Sequence, residues 1–164
     1  MKNLNIIKVL LIAGISFLYA CGGAESQTNE TEEVSTESTE TVSAGPVDTK
    51  AKSDSKGIGK FTSVEIKDID PAVATKGEAI FTSKCAACHK VTADKVVGPG
   101  LLGVTKRRTP EWIMNMITNP EEMTKKDPMA QALFAEHLIQ MTFQNVSDDE
   151  TRQILEYFRH VDSK

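Results

Sequence analysis

The sequence predicts a small helical domain, on three observations. Helix-start signals recur along its second half: Asp70-Pro71, Thr109-Pro110, Asn119-Pro120 and Asp127-Pro128 each set a capping residue before a proline at the first helical position. After the first of them, Val73, Gly77, Ile80 and Phe81 fall on one helical face. The chain then closes on a capping box, Ser147-Asp148-Asp149-Glu150, followed by the apolar stripe Ile154, Leu155, Phe158 and Val161.

Taken in order, residues 1–20 read as an export signal. Lys2 and Lys8 supply its positive charge, and Val9 to Ala20 is an apolar run too short to span a bilayer as a stable helix. Leu18-Tyr19-Ala20-Cys21 resembles a bacterial lipobox, which implies cleavage before Cys21 and an acylated N-terminus, and Gly22 leans the resemblance to the outer membrane. Residues 21–59 are rich in Ser, Thr and Glu, with six acidic and no basic side chains between Gly22 and Gly45. Such a segment buries too little apolar surface to offset its ordering entropy, so a disordered tether is expected. Residues 60–70 alternate apolar and charged side chains, as an extended arm on the domain surface does.

Residues 71–164 then form one domain. They carry 12 basic and 12 acidic side chains, whereas residues 22–70 carry 5 and 11, net −6, which with the +2 of residues 1–21 makes the −4 of the whole. A balanced domain points away from nucleic acid, and no transmembrane segment is expected once the signal is removed.

The chemistry of the domain sits in Cys85-Ala86-Ala87-Cys88-His89. Two thiols three positions apart can form thioethers with the two vinyl groups of one porphyrin edge, while the adjacent imidazole binds the iron. The competing uses of a C-x-x-C lack support. Zinc needs a second ligand pair, but Cys21 is the remaining cysteine and His137 and His160 have no paired spacing. A redox dithiol of the thioredoxin kind needs an α/β setting. All three cysteines thus have uses: Cys21 as lipid anchor, Cys85 and Cys88 as haem attachment points.

With the haem motif, the Gly77 and Phe81 pair on the first helix and the pair Ile154 and Tyr157 on the last, residues 71–161 resemble the class I c-type cytochromes. The resemblance implies an all-α bundle around one covalent haem c and its iron. It implies that the Pro99 carbonyl, in Gly98-Pro99-Gly100-Leu101, orients His89, with Leu101 and Leu102 packed on the ring. It offers Arg107, Arg108 and Trp112 as partners for the haem propionates, against the plain readings of solvated basic residues and a core tryptophan.

For the sixth iron position the chain has six methionines and two further histidines. Met1 leaves with the signal. Met114, Met116 and Met123 lie in or beside helices as core filler, and Met129 begins one. Met141 stands six residues before Ser147, where the family keeps its ligand methionine, although Met141-Thr142 replaces the usual Met-Pro. His137 is the rival, through bis-histidine ligation. The metal ligands expected are therefore His89 and Met141.

The expected function is electron transfer, not catalysis: a lipid-anchored carrier in the cell envelope, facing the periplasm, that docks redox proteins at its haem edge. Lys84, Lys90, Lys95, Arg107 and Arg108 are candidates to ring that edge. Residues 109–117 and 141–146 are similar to lipoprotein cytochromes that accompany periplasmic nitrous-oxide reduction systems, which implies a copper-containing terminal reductase as acceptor. No small-molecule substrate is expected. The alternatives are a haem enzyme or gas sensor with an exchangeable sixth ligand, or a structural lipoprotein without haem.

Overall fold

In the computed structural model the described residues are 47–164; the signal, Cys21 and the acidic part of the tether lie outside them. The described chain forms six helices and no strand: α1 (Pro71–Lys84), α2 (Val104–Arg107), α3 (Pro110–Thr118), α4 (Pro120–Lys126), α5 (Pro128–His137) and α6 (Asp148–Asp162). The all-α expectation holds.

Local chemistry starts most of these helices. Asp70 Oδ1 accepts from Ala72 N at 2.8 Å and Val73 N at 3.3 Å at the head of α1. At α6 the capping box closes both ways, Glu150 N donating to Ser147 Oγ at 3.2 Å and Ser147 N to Glu150 Oε2 at 2.8 Å. Ser147→Ala should cost about 1 kcal/mol in urea unfolding, as loss of such a cap does.

Helices α1 and α6 cross at glycine. A Cβ on Gly77 would stand 1.9 Å from the Gln153 carbonyl oxygen, so α6 passes with its backbone against α1. One turn on, the Phe81 ring lies 5.7 Å from both Tyr157, tilted, and Phe158, edge-on. Around this crossing Trp112, Ile113 and Met114 of α3, Met123 of α4, Met129 of α5 and Ile154 and Leu155 of α6 make one buried core.

Helix α2 had no signal in the sequence. It starts from Gly103, at φ +73°, and is capped from the far end of the chain. Asp162 accepts from Gly103 N at 2.6 Å, Thr105 N at 2.9 Å and Thr105 Oγ1 at 2.7 Å.

The segment before α1 departs from expectation. Residues 47–59 were expected to finish a disordered tether, yet they lie on the domain, continuous with arm 60–70, and the domain's buried polar side chains hold both. Arg108 donates to the carbonyls of Thr49 and Ala51. Asp127 accepts from Ser55 Oγ at 2.8 Å, and Asn115 bonds the carbonyls of Lys56 and Phe61 and the N–H of Phe61. Glu111 takes Val64 N and Glu156 takes Asp70 N. A strap without helix or strand must find partners for its backbone elsewhere, and these side chains supply them. Composition misjudged the segment because the groups that order it, Arg108, Asn115 and Asp127, stand more than fifty residues further along the chain. Arg108→Ala should release residues 47–55: Ser53 N, bonded to Arg107 O at 2.9 Å, should lose its protection from hydrogen exchange, with about 1.5–3 kcal/mol lost.

Candidate haem site

The motif sits where α1 runs out. Cys85 N still donates to Phe81 O at 2.8 Å, and the N–H groups of Cys88 and His89 both converge on Cys85 O at 3.0 Å. One tight turn therefore carries both thiols and the imidazole. Neither thiol is in a disulfide; Cys85 is half-buried and Cys88 exposed. Burial pushes the Cys85 thiol pKa up, although Lys84 pulls the other way.

His89 is oriented by the next loop. Its Nδ1 lies 3.0 Å from Pro99 O, so a proton on Nδ1 is held by the carbonyl and the lone pair is left on Nε2 for iron. The loop is tied back through Gly98 N to Cys88 O at 2.9 Å and Leu101 N to Lys90 O at 2.8 Å. Gly98 lies against the imidazole: a Cβ there would stand 2.4 Å from His89 Cε1. Gly98→Val should push the ring off Pro99 and weaken its bond to iron about tenfold, the usual effect of losing such an outer partner. The loss should show as a larger high-spin fraction in the visible spectrum of the variant than of the wild type at the same pH.

The loop 138–147 carries Met141, which is half-buried. Of the five methionines in residues 47–164, Met114, Met123 and Met129 are in the core and Met116 packs on it; Met141 belongs to neither set. The loop is pinned at both ends. It leaves α5 at His137, whose ring is within electrostatic reach of His89, and it returns beside Cys85, where Lys84 Nζ donates to Asn145 O at 3.0 Å. In between, Thr124 Oγ1 bonds Gln140 Oε1 at 2.9 Å.

Two of the propionate candidates are otherwise engaged. Arg108 is 5 % exposed, spent on the strap and stacked 5.4 Å from the Trp112 ring, and burial lowers its pKa first, with Arg107 adding to that. Trp112 Nε1 donates to Asp127 Oδ1 at 3.0 Å. The strap thus occupies the Arg108 donors and Asp127 occupies the Trp112 N–H. Arg107 is half-buried with Nη1 on Leu102 O at 2.7 Å, and it stays next to the Pro99 loop. Arg108 also leaves the basic ring, while Lys84 is tied to Asn145 and Lys90 pairs with Asp94 at 4.0 Å.

The residues fit a haem and not a metal ion alone. Among the described residues no three His, Cys, Asp or Glu side chains group as metal ligands, so zinc would lack its tetrahedral set. Instead, beside a well-packed core, Val96, Val97 and Leu102 on one loop and Leu138, Ile139 and Phe143 on the other expose large apolar surface, Leu138 at 77 %. Apolar side chains clustered on the two loops that bear His89 and Met141 are the covering a porphyrin needs.

A helical bundle with a C-x-x-C-H turn and a carbonyl-oriented histidine defines a covalent haem protein. The cytochrome c family profile matches residues 74–162, more than half of the chain, and the chain belongs to the cytochrome c family. It therefore carries covalently bound haem c with iron. A cytochrome c-553-like protein of Synechocystis sp. is 37% identical over 62 residues, covering 30% of this chain and 59% of that protein; the chain thus spans about three fifths of this curated relative. Cytochrome c from Rhodothermus marinus is 39% identical, with a TM-score of 0.62 over 64% of this chain and 90% of that one. An engineered form of it, bound to a carbene intermediate, is 37% identical with a TM-score of 0.60 over 65% of this chain and 92% of that one.

Proposed function

We propose that the protein is a lipid-anchored, periplasm-facing monohaem carrier that moves single electrons between respiratory redox proteins, with His89 and Met141 as axial ligands. The observation that carries this reading is the pair of loops: one presents an imidazole with its Nε2 lone pair left open, the other the one described methionine outside the core. Bound there, haem iron supplies a one-electron ferrous and ferric couple, which a thioether opposite imidazole biases toward the ferrous form. The chain's part is to hold Nδ1 on Pro99, cover the ring with apolar side chains and leave an edge for partners.

For the acceptor, the similarity at residues 109–117 and 141–146 favours a copper-containing nitrous-oxide reductase. Reduced protein mixed with that enzyme and nitrous oxide should be reoxidised only when both are present; no acceleration over either alone would remove this acceptor. Anchoring at Cys21 is checked by fractionation, where the wild-type chain should sediment with membranes and Cys21→Ala should appear in the soluble periplasmic fraction. A second reading, an exchangeable sixth position, draws on the engineered Rhodothermus marinus relative described with a bound carbene intermediate. A ferric methionine-to-iron charge-transfer band and slow carbon monoxide binding favour the carrier; absence of the band with fast binding favours the second reading.

A further inference from the structure

We infer that His137 is a reserve axial ligand, which binds the haem iron when Met141 leaves it. The inference rests on the assignment of Met141 to the sixth position and goes beyond it.

Among the described residues, His137 Nδ1 is the buried side-chain polar atom without a hydrogen-bond partner. Its side chain is 7 % exposed, so water does not make up the deficit. The other ring nitrogen, Nε2, is 3.8 Å from Glu136 Oε1, too far for a hydrogen bond. Glu136 is in turn held by Thr49 Oγ1 of the strap at 2.6 Å. A buried imidazole left unsatisfied is destabilising, and such a group calls for a partner absent from the polypeptide.

Position names that partner. His137 ends α5, and Leu138 follows in the left-handed region at φ 58°, which turns the chain into the loop of Met141. Both ligands thus hang from one short stretch of backbone. Burial disfavours the protonated form of the imidazole. Its Nδ1, buried with no partner in the described chain, is free to give a lone pair. A half turn about its Cβ–Cγ bond offers either nitrogen.

The exchange balances simply. The bond from Met141 Sδ to iron breaks with its electron pair returning to sulfur, and a His137 ring nitrogen donates its own pair. No electron or proton moves. The iron stays six-coordinate, its potential falls because imidazole replaces thioether, and diatomic ligands find no open position.

The test uses full-length holoprotein. Met141→Ala should remain low-spin with a bis-imidazole signature by electron paramagnetic resonance, whereas Met141→Ala with His137→Ala should turn high-spin. Carbon monoxide should bind the double variant about tenfold or more tightly than the single one, since His137 withholds the open form. His137→Ala alone should keep the methionine-to-iron band. A high-spin Met141→Ala that binds carbon monoxide as the double variant does overturns the inference, and so does a double variant that stays low-spin. The wild-type spectrum tests the parent reading separately: with the band present, a high-spin Met141→Ala sinks the reserve role alone, and a wild type lacking the band sinks both.

Discussion

Replacing Cys85 and Cys88 together with serine abolishes covalent haem: on a denaturing gel the haem-stained band of the wild-type chain falls to background. The chain has no other pair of thiols to substitute, since Cys21 lies far from the motif in sequence. The turn that gathers the N–H groups of Cys88 and His89 on Cys85 O survives the change, because a hydroxyl in place of sulfur leaves the backbone bonds untouched. What disappears is the chemistry of the thioether. The folded domain suffers as well, for a chain of this size buries a modest core, and the six apolar side chains exposed on the loops that bear His89 and Met141 are then left facing water. Thermal unfolding should broaden and shift down. Cys88→Ser alone should keep one thioether and therefore stain weakly, with a red-shifted pyridine haemochrome from the unreacted vinyl group. A serine pair that stained like the wild type would remove the basis of the site.

The second large effect concerns Gly77. Gly77→Ala should destabilise the holoprotein by about 3 kcal/mol or more, beyond the usual range for a single added methyl. The reason is which atom stands in the way. At 1.9 Å the new Cβ meets the Gln153 carbonyl oxygen, and 2.5 Å away lies its carbon, so no side chain can rotate aside. Helix α6 must translate as a body, and the Phe81, Tyr157 and Phe158 rings, with centroids about 6 Å apart, then lose their contact. In a domain this small each kcal/mol is worth about 4–8 °C in Tm, so differential scanning calorimetry resolves the loss easily. Thr82→Ala, on the exposed side of the same helix, should stay within about 0.5 kcal/mol and serves as the control. A Gly77→Ala protein within 1 kcal/mol of wild type, about the spread of ordinary surface changes, would mean that the helices do not cross this closely.

Both effects bear on function through one element. Helix α1 delivers Cys85 to the haem edge, and its crossing with α6 sets where that edge lies. Lys84 then ties the end of α1 to the loop of Met141 through Asn145 O, so a displaced helix disturbs both the His89 turn and that loop.

Helix starts and the haem grip were legible in the sequence because both are local. A capping side chain bonds to an N–H two or three residues on, and two thiols reach one porphyrin edge because they are three positions apart. Asp70, Thr109, Asp127 and Ser147 each accept such a bond. The role of the Pro99 carbonyl was also anticipated, through the family's spacing. What the sequence left open was every role that depends on a distant partner. Arg108 and Trp112 looked like donors for haem, and the structure turns one to the carbonyls of Thr49 and Ala51 and the other to Asp127. Residues 47–59 looked too polar to order, yet side chains from α3 and α4 complete their backbone bonds. Helix α2 carried no cap of its own, and Asp162 supplies one from the end of the chain. A hydrogen bond between groups fifteen to nearly sixty residues apart leaves no spacing to read, so only the tertiary structure could decide which polar groups are spent within the protein and which remain for the haem.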